Sequence, residues 1–232
     1  MTAMFQVLYI GSMNTKKARE MQEILAGLPI EVRPLPSTGI VPVEEDGTTF
    51  AENASRKALA LAEQLQAAVV ADDSGLEVDA LGGRPGVWSA RYGGPLISDD
   101  QRCRMLLEEL RGVPGPQRTA RFRCCIALAV PGRVLLTAAG TVEGRIALAP
   151  RGTGGFGYDP IFLPQGHDRT FAEMSAAEKH AISHRGQALR HLRGQLEQLL
   201  ASSGQSARAC EQPLPIEIET GRRDTRHERR DT

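Results

Sequence analysis

The chain predicts an α/β domain built on a mixed β-sheet, and three observations lead there. β-prone and helical segments alternate through its first half, two long strand-like runs then meet across Pro131-Gly132, and amphipathic helical segments close the chain. Composition agrees, since 41% of the 232 residues are hydrophobic and 24% are charged, as in a globular protein with a substantial core.

Residues 5–10 alternate weakly and read as a first, buried strand, broken by Gly11-Ser12-Met13-Asn14. From Thr15 the apolar positions Ala18, Met21, Ile24 and Leu25 recur at helical spacing, until Gly27 and Pro29 end the run. Residues 30–35 form a short second strand. Thr49-Phe50-Ala51-Glu52 is a capping box, in which a hydroxyl and a carboxylate satisfy each other's backbone N–H groups, and it opens an alanine-rich helix reaching residue 66. Residues 67–71 are a wholly apolar strand that stops at Asp72-Asp73-Ser74-Gly75, and Gly82-Gly83-Arg84-Pro85-Gly86 is a loop. A second box, Ser98 with Gln101, opens a helix reaching residue 111. Residues 119–130 and 133–144 are the two strands of a hairpin, followed by a glycine-dense loop over 152–160. Ser175 and Glu178 form a third box, and Ser183 caps a last helix with Ala188, Leu189, Leu192, Leu196 and Leu199 on one face. Residues 1–201 make one domain; residues 202–232 are polar and aperiodic and read as a disordered tail.

Basic and acidic side chains balance at 28 each, so no global field recruits nucleic acid or an anionic membrane, and any phosphate binding has to be local. No apolar run approaches membrane-spanning length, and residues 1–10 lack the pattern of a signal peptide. Cys103, Cys124, Cys125 and Cys210 show no metal-ligand spacing and read as thiols of a reducing compartment, Cys210 exposed and the others buried. A cytoplasmic protein is expected.

Three features break local rules. Lys16-Lys17 place cations in the first turn of a helix, where the macrodipole disfavours them. An anion bound there reverses that sign, with free backbone N–H groups, Asn14 and Ser12 as further donors. The alternative is that both lysines simply reach solvent, and the spacing is not that of a phosphate-binding glycine loop of the Walker type. Asp72-Asp73 follow an apolar strand, where open α/β sheets border their ligand crevice. They are placed to hold Mg²⁺ or to act as general base toward a water, unless they only cap a turn. Glu44-Glu45-Asp46 can supply a further metal ligand, or be a solvated acidic loop. Ser183-His184-Arg185, with Lys179 shortly before, repeat the pattern of cations at a helix start, against a reading as surface decoration. In the glycine-dense loop Phe156 and Tyr158 offer flat faces that suit stacking on a base. Lys57 taken alone is an ordinary exposed helical lysine.

In this order the motifs resemble those of the inosine triphosphate pyrophosphatase family, whose members clear deaminated purine nucleotides. The matching segments are Ser12-Met13-Asn14-Thr15-Lys16-Lys17, residues 47–54 with Lys57, Ala71-Asp72-Asp73-Ser74-Gly75-Leu76, residues 81–86 with Ser89-Ala90-Arg91-Tyr92, residues 152–162, and residues 172–186. The resemblance implies an elongated single α/β domain with a central mixed sheet and two lobes flanking a deep nucleotide cleft, usually as a homodimer. It implies Mg²⁺-dependent hydrolysis of ITP, dITP and XTP to the monophosphate and pyrophosphate. Carried over by residue, Ser12, Met13, Asn14, Thr15, Lys16 and Lys17 form the phosphate loop, Asp73 is general base and metal ligand, Asp72 and Lys57 support it, and Glu44 completes the metal site. Ser74 contacts the nucleotide, Phe156 stacks on the base, Gly157, Tyr158 and Asp159 shape its pocket, and Lys179, His184 and Arg185 reach the purine edge. Lys16 stands where bacterial relatives usually carry glycine, and Met13 replaces a smaller or more polar residue.

Overall fold

The computed structural model describes residues 5–210, the last eight of them by backbone alone. The first strand, β1 (Val7–Ile10), leads through Asn14 into α1 (Thr15–Leu25), and β2 (Glu31–Pro34) and α2 (Phe50–Leu65) follow. Then come β3 (Ala68–Val78), α3 (Asp99–Glu109), the hairpin of β4 (Thr119–Val130) and β5 (Arg133–Ile146), the short β6 (Phe162–Pro164), α4 (Ala176–Ile182) and α5 (His184–Cys210). One six-stranded sheet has the order β2-β1-β3-β4-β5-β6. β1 pairs in parallel with β2 and β3, whereas β3, β4, β5 and β6 pair antiparallel, so the sheet is mixed as expected.

Local signals specify most helix starts. Ser98 with Gln101 and Ser175 with Glu178 form complete capping boxes. At α2 the box is redrawn: Thr49 accepts from the Glu52 N–H, but the Glu52 carboxylate accepts from the Thr48 N–H instead, at 3.0 Å. α5 runs to Cys210, past the domain boundary read at residue 201. The remainder of the expected tail and the Cys210 side chain lie outside the described residues. Among the described residues no helix is long and apolar enough to cross a membrane.

The main correction concerns β3. The sequence predicts its end before Asp72, but the strand continues through both acids to Val78, because β4 pairs with it antiparallel from Val69↔Ala129 to Val78↔Ala120. The parallel partner β1 stops earlier, with its last pair at Ile10↔Val70. Asp72 and Asp73 therefore sit just where β3 loses its neighbour on one side and its edge opens toward the loop after β1.

Alternation along the pleat then separates the two acids. On one face of β3, Ala68 and Val70 belong to an apolar cluster under α1 and α5 with Leu8, Met21 and Leu192, and Leu76 and Val78 belong to a second with Leu106, Phe122 and Phe171. Asp72 and Ser74 occupy the polar gap between these two cores. Val69 and Ala71 on the other face pack beneath α2 with Ala54, Ala58 and Leu61. The long strands β3 and β4 carry residues of both cores, and the gap between them opens as a cavity.

Candidate functional site

A cavity of about 260 Å³ lies at that gap, lined among others by Asn14, Lys17, Ser74, Phe156, Tyr158, Lys179, His184 and Arg185. Its floor is an ion-pair network centred on Asp72, which is completely buried. The Asp72 carboxylate meets Lys17 Nζ at 3.3 Å and Arg185 Nε at 3.2 Å, and accepts from the Ser74 hydroxyl. Burial disfavours its charge, but Lys17, Arg185 and Lys57 outweigh that and hold the carboxyl well below the usual range. Its Oδ1 has no hydrogen-bond partner. Arg185 also donates to Glu20 at 2.6 Å and to Ser74 Oγ at 2.8 Å. The two helix starts picked out from the sequence thus converge on one carboxylate.

The helix-start expectation changes in detail. Asn14 is the N-cap of α1, and its Oδ1 accepts from the Lys16 and Lys17 N–H groups, so those donors are engaged rather than free. Ser12 Oγ accepts from the Asn14 N–H, Thr15 begins α1, and Met13 is 74% exposed. Lys16 leaves the phosphate loop and donates to the Gly155 carbonyl at 3.0 Å. From this loop Asn14 and Lys17 line the cavity.

Asp73 points to the α2 face. Asn53, a buried amide on the apolar side of α2, donates to its Oδ2 at 2.9 Å, and the Ser74 N–H donates to its Oδ1. Burial raises the Asp73 carboxyl above its usual value and the Glu45 charge adds to this, against the pull of the Asn53 hydrogen bond. Lys57 is half-buried and paired with Glu45, not exposed. Burial works against its charge, but Asp72, Glu45 and Asp73 keep it protonated. Arg91 donates to the Glu45 carbonyl and fixes the same loop. The structure thus brings Glu45 to the Asp73–Lys57 cluster, while Glu44, the residue named from the resemblance, is exposed.

Among the described residues no three His, Cys, Asp or Glu side chains form a metal cage. Magnesium does not require one, because it retains waters and takes one or two carboxylates together with substrate phosphates. Asp73 suits that role: burial and the nearby Glu45 carboxylate disfavour its charged form, which a divalent cation would favour.

At the other end of the cavity Phe156 is surrounded by cations, with Lys179 Nζ 4.6 Å and the Arg185 guanidinium 5.5 Å from its ring centroid. Buried Asp159 accepts from Lys179 Nζ at 2.7 Å and from the Phe156 N–H at 2.8 Å. Tyr158 is buried in the second core and donates to the Ser89 carbonyl. His184 stacks on Phe122 with ring centroids 4.7 Å apart. Burial, reinforced by Arg185 and Lys179, holds the His184 pKa well below its ordinary value, so the ring is neutral, and its Nδ1 is buried without a partner. Sequence reading missed Glu20, Asn53 and Asp99, the last of which lines the cavity, and it named Glu45 only as part of the acidic run 44–46. Asn53 carried a signal, a polar residue on the buried stripe of a helix; Glu20 carried a weaker one, its position one turn after Lys17.

The Ham1 family model matches residues 8–195. A dITP/XTP pyrophosphatase of Geobacillus kaustophilus is 48% identical over 200 residues, covering 86% of this chain and 98% of its own. The dITP/XTP pyrophosphatase of Bacillus subtilis is 48% identical over 189 residues, covering 81% of this chain and 96% of its own. A solved HAM1 protein from Coxiella burnetii superposes with a TM-score of 0.77 at 43% identity, covering 84% of this chain and all, 100%, of that one. With the family model matching residues 8–195 and a relative 48% identical over 86% of its length, the chain belongs to the Ham1 family.

Proposed function

We propose that this protein hydrolyses non-canonical purine nucleoside triphosphates (ITP, dITP and XTP) to the monophosphate and pyrophosphate, with Mg²⁺ bound, and so keeps these nucleotides out of DNA and RNA. The observation that carries the reading is the shared cavity, in which Lys17 and Arg185 meet on Asp72 while Lys179 and Arg185 flank the Phe156 ring. A cytoplasmic location, which rests on the sequence composition, and a homodimer, which rests on the family resemblance, belong to the same proposal.

Lys17, with Asn14 and Ser12, holds the phosphate oxygens, and Phe156 stacks on the base. Inosine and xanthosine present an acceptor oxygen at purine position 6, where adenosine presents an amino donor. Lys179 and Arg185 are donors only, so they pair with the oxygen and leave the amino group opposed. Asp73 accepts a proton as water attacks the α-phosphorus and the bond to the β-phosphate oxygen breaks; its raised pKa suits a base. Asp73 would hold Mg²⁺ with the acidic loop, through Glu45 by position or Glu44 by resemblance. When bound there, the cation supplies neutralisation of phosphate charge.

The test is pyrophosphate release from ITP, XTP, GTP and ATP with Mg²⁺. ITP and XTP should be preferred strongly, and comparable turnover of ATP would refute the reading. Asp73→Asn should retain nucleotide binding and lose most turnover, about a hundredfold or more.

A further inference from the structure

We propose that the first turn of α3 is a positioning device for the base-stacking loop, with Asp99 as the residue that fixes Phe156; this rests on the stacking role given to Phe156 above. The Asp99 carboxylate accepts from the Gly157 N–H at 2.8 Å across 58 residues of sequence. Its other oxygen accepts from Arg102, whose guanidinium also reaches the Gly94 carbonyl. Cys103, one helical turn along, donates its thiol to the Gly157 carbonyl at 3.4 Å. Both polar backbone groups of Gly157 are thus held by α3. Gly157 has φ +60°, a conformation that glycine adopts without strain and side-chain-bearing residues rarely adopt.

The helix does not need Asp99 for its own cap. Ser98 accepts from the Gln101 N–H and Gln101 accepts from the Ser98 N–H, which completes the box and leaves the Asp99 carboxylate to face the loop. α3 is itself anchored, because its Cys103 and Leu106, with Leu110 at its end, lie in the same buried core as Tyr158. The N–H of Phe156 is held by Asp159, which also holds Lys179, so consecutive peptide N–H groups are fixed by different carboxylates. Asp159 ties the ring to the edge-reading cation, and Asp99 ties it to the second core. Asp99 and Arg102 line the same cavity as Phe156. An aromatic face held in place before the ligand arrives binds it without the cost of ordering the loop.

The experiment compares wild type with Asp99→Ala, Asp99→Ser and Asp100→Ala. Asp100 is the matched control: it carries the same charge in the same turn but pairs with Arg104 on the helix surface. Hydrogen exchange of the peptide over residues 152–160, without nucleotide, should accelerate about tenfold in Asp99→Ala and stay at the wild-type rate in Asp100→Ala. KM for ITP should rise about tenfold in Asp99→Ala with kcat within about twofold, as for loss of binding common to ground and transition states. If Asp99→Ala does not fold, Asp99→Ser, suited to a helix start but too short to reach Gly157, serves for both readouts. Unchanged exchange over 152–160, equal loosening in Asp100→Ala, or a loss confined to kcat would each overturn the proposal. A wild type that releases no pyrophosphate from ITP would refute the proposed function instead, and the exchange measurement would still judge the anchor.

Discussion

Replacing Asp72 by Asn removes the anion that Lys17 and Arg185 share while preserving the side chain's shape. Taking one partner from a buried ion pair costs about 3–5 kcal/mol, because the other charge remains buried. The structure places this case at the low end. The Lys17 side chain is 18% exposed and can turn to water, and Arg185, only 3% exposed, keeps Glu20 at 2.6 Å. The Asn carbonyl can also still accept from Arg185 Nε. A loss of about 3 kcal/mol follows, which for a domain of this size lowers Tm by about 6–12 °C. The assay is thermal unfolding of both proteins at pH 7 and at a series of acidic values. Because the folded Asp72 carboxyl lies below its unfolded value near 3.9, its contribution is complete above that value and disappears as pH falls toward the folded one. The wild type should therefore lead by the full margin at neutral pH, and the two curves should converge only in strong acid. A neutral-pH Tm within about 2 °C of wild type would refute the reasoning, because Arg185 would then be shown not to depend on this carboxylate.

Further outcomes follow from the same geometry. Lys179→Met removes a donor held beside Phe156 by Asp159 and should lower the ITP-to-ATP ratio of kcat/KM by about ten- to a hundredfold; an equal loss for both nucleotides would deny it the edge-reading role. Burial holds the folded His184 pKa below its ordinary value while the unfolded chain takes up a proton below pH of about 6.5, so wild-type stability should fall as pH drops below that value. His184→Gln should flatten that slope in chemical denaturation, and equal slopes would show that the ring protonates in place. At Gly140 an added Cβ would stand 2.2 Å from the His184 carbonyl oxygen and 2.7 Å from the Ala188 nitrogen. Gly140→Ala should push α5 off β5 at a cost of about 1–3 kcal/mol, read as a lower Tm, and an unchanged Tm would contradict the tight helix–sheet contact.

Much of the fold was legible because short-range chemistry encodes it. The boxes at Ser98 and Ser175 and the Asn14 cap act within a few residues, and the hairpin at Pro131-Gly132 joins strands that are adjacent in the chain. The order of the site motifs was equally legible, and with it the family. The extent of β3 was not. Its hydrogen bonds beyond Val70 come from β4, about fifty residues further on, and nothing in Asp72-Asp73-Ser74-Gly75 announces that partner.

The site divides along the same line. Residue types and spacing singled out Lys17, Asp72, Asp73, Phe156, Lys179 and Arg185 as candidates beside blander readings, and the family resemblance supplied the role expected of each. Only the folded sheet decided that Asp72 turns toward the cavity and Asp73 toward α2, that Glu45 rather than Glu44 meets Lys57, and that Glu20, Asn53 and Asp99 hold the others in place. The reason is physical. A cap or a periodicity is set by neighbours along the chain, whereas the direction of a strand side chain and the identity of its partner depend on pairing and packing between segments far apart in it.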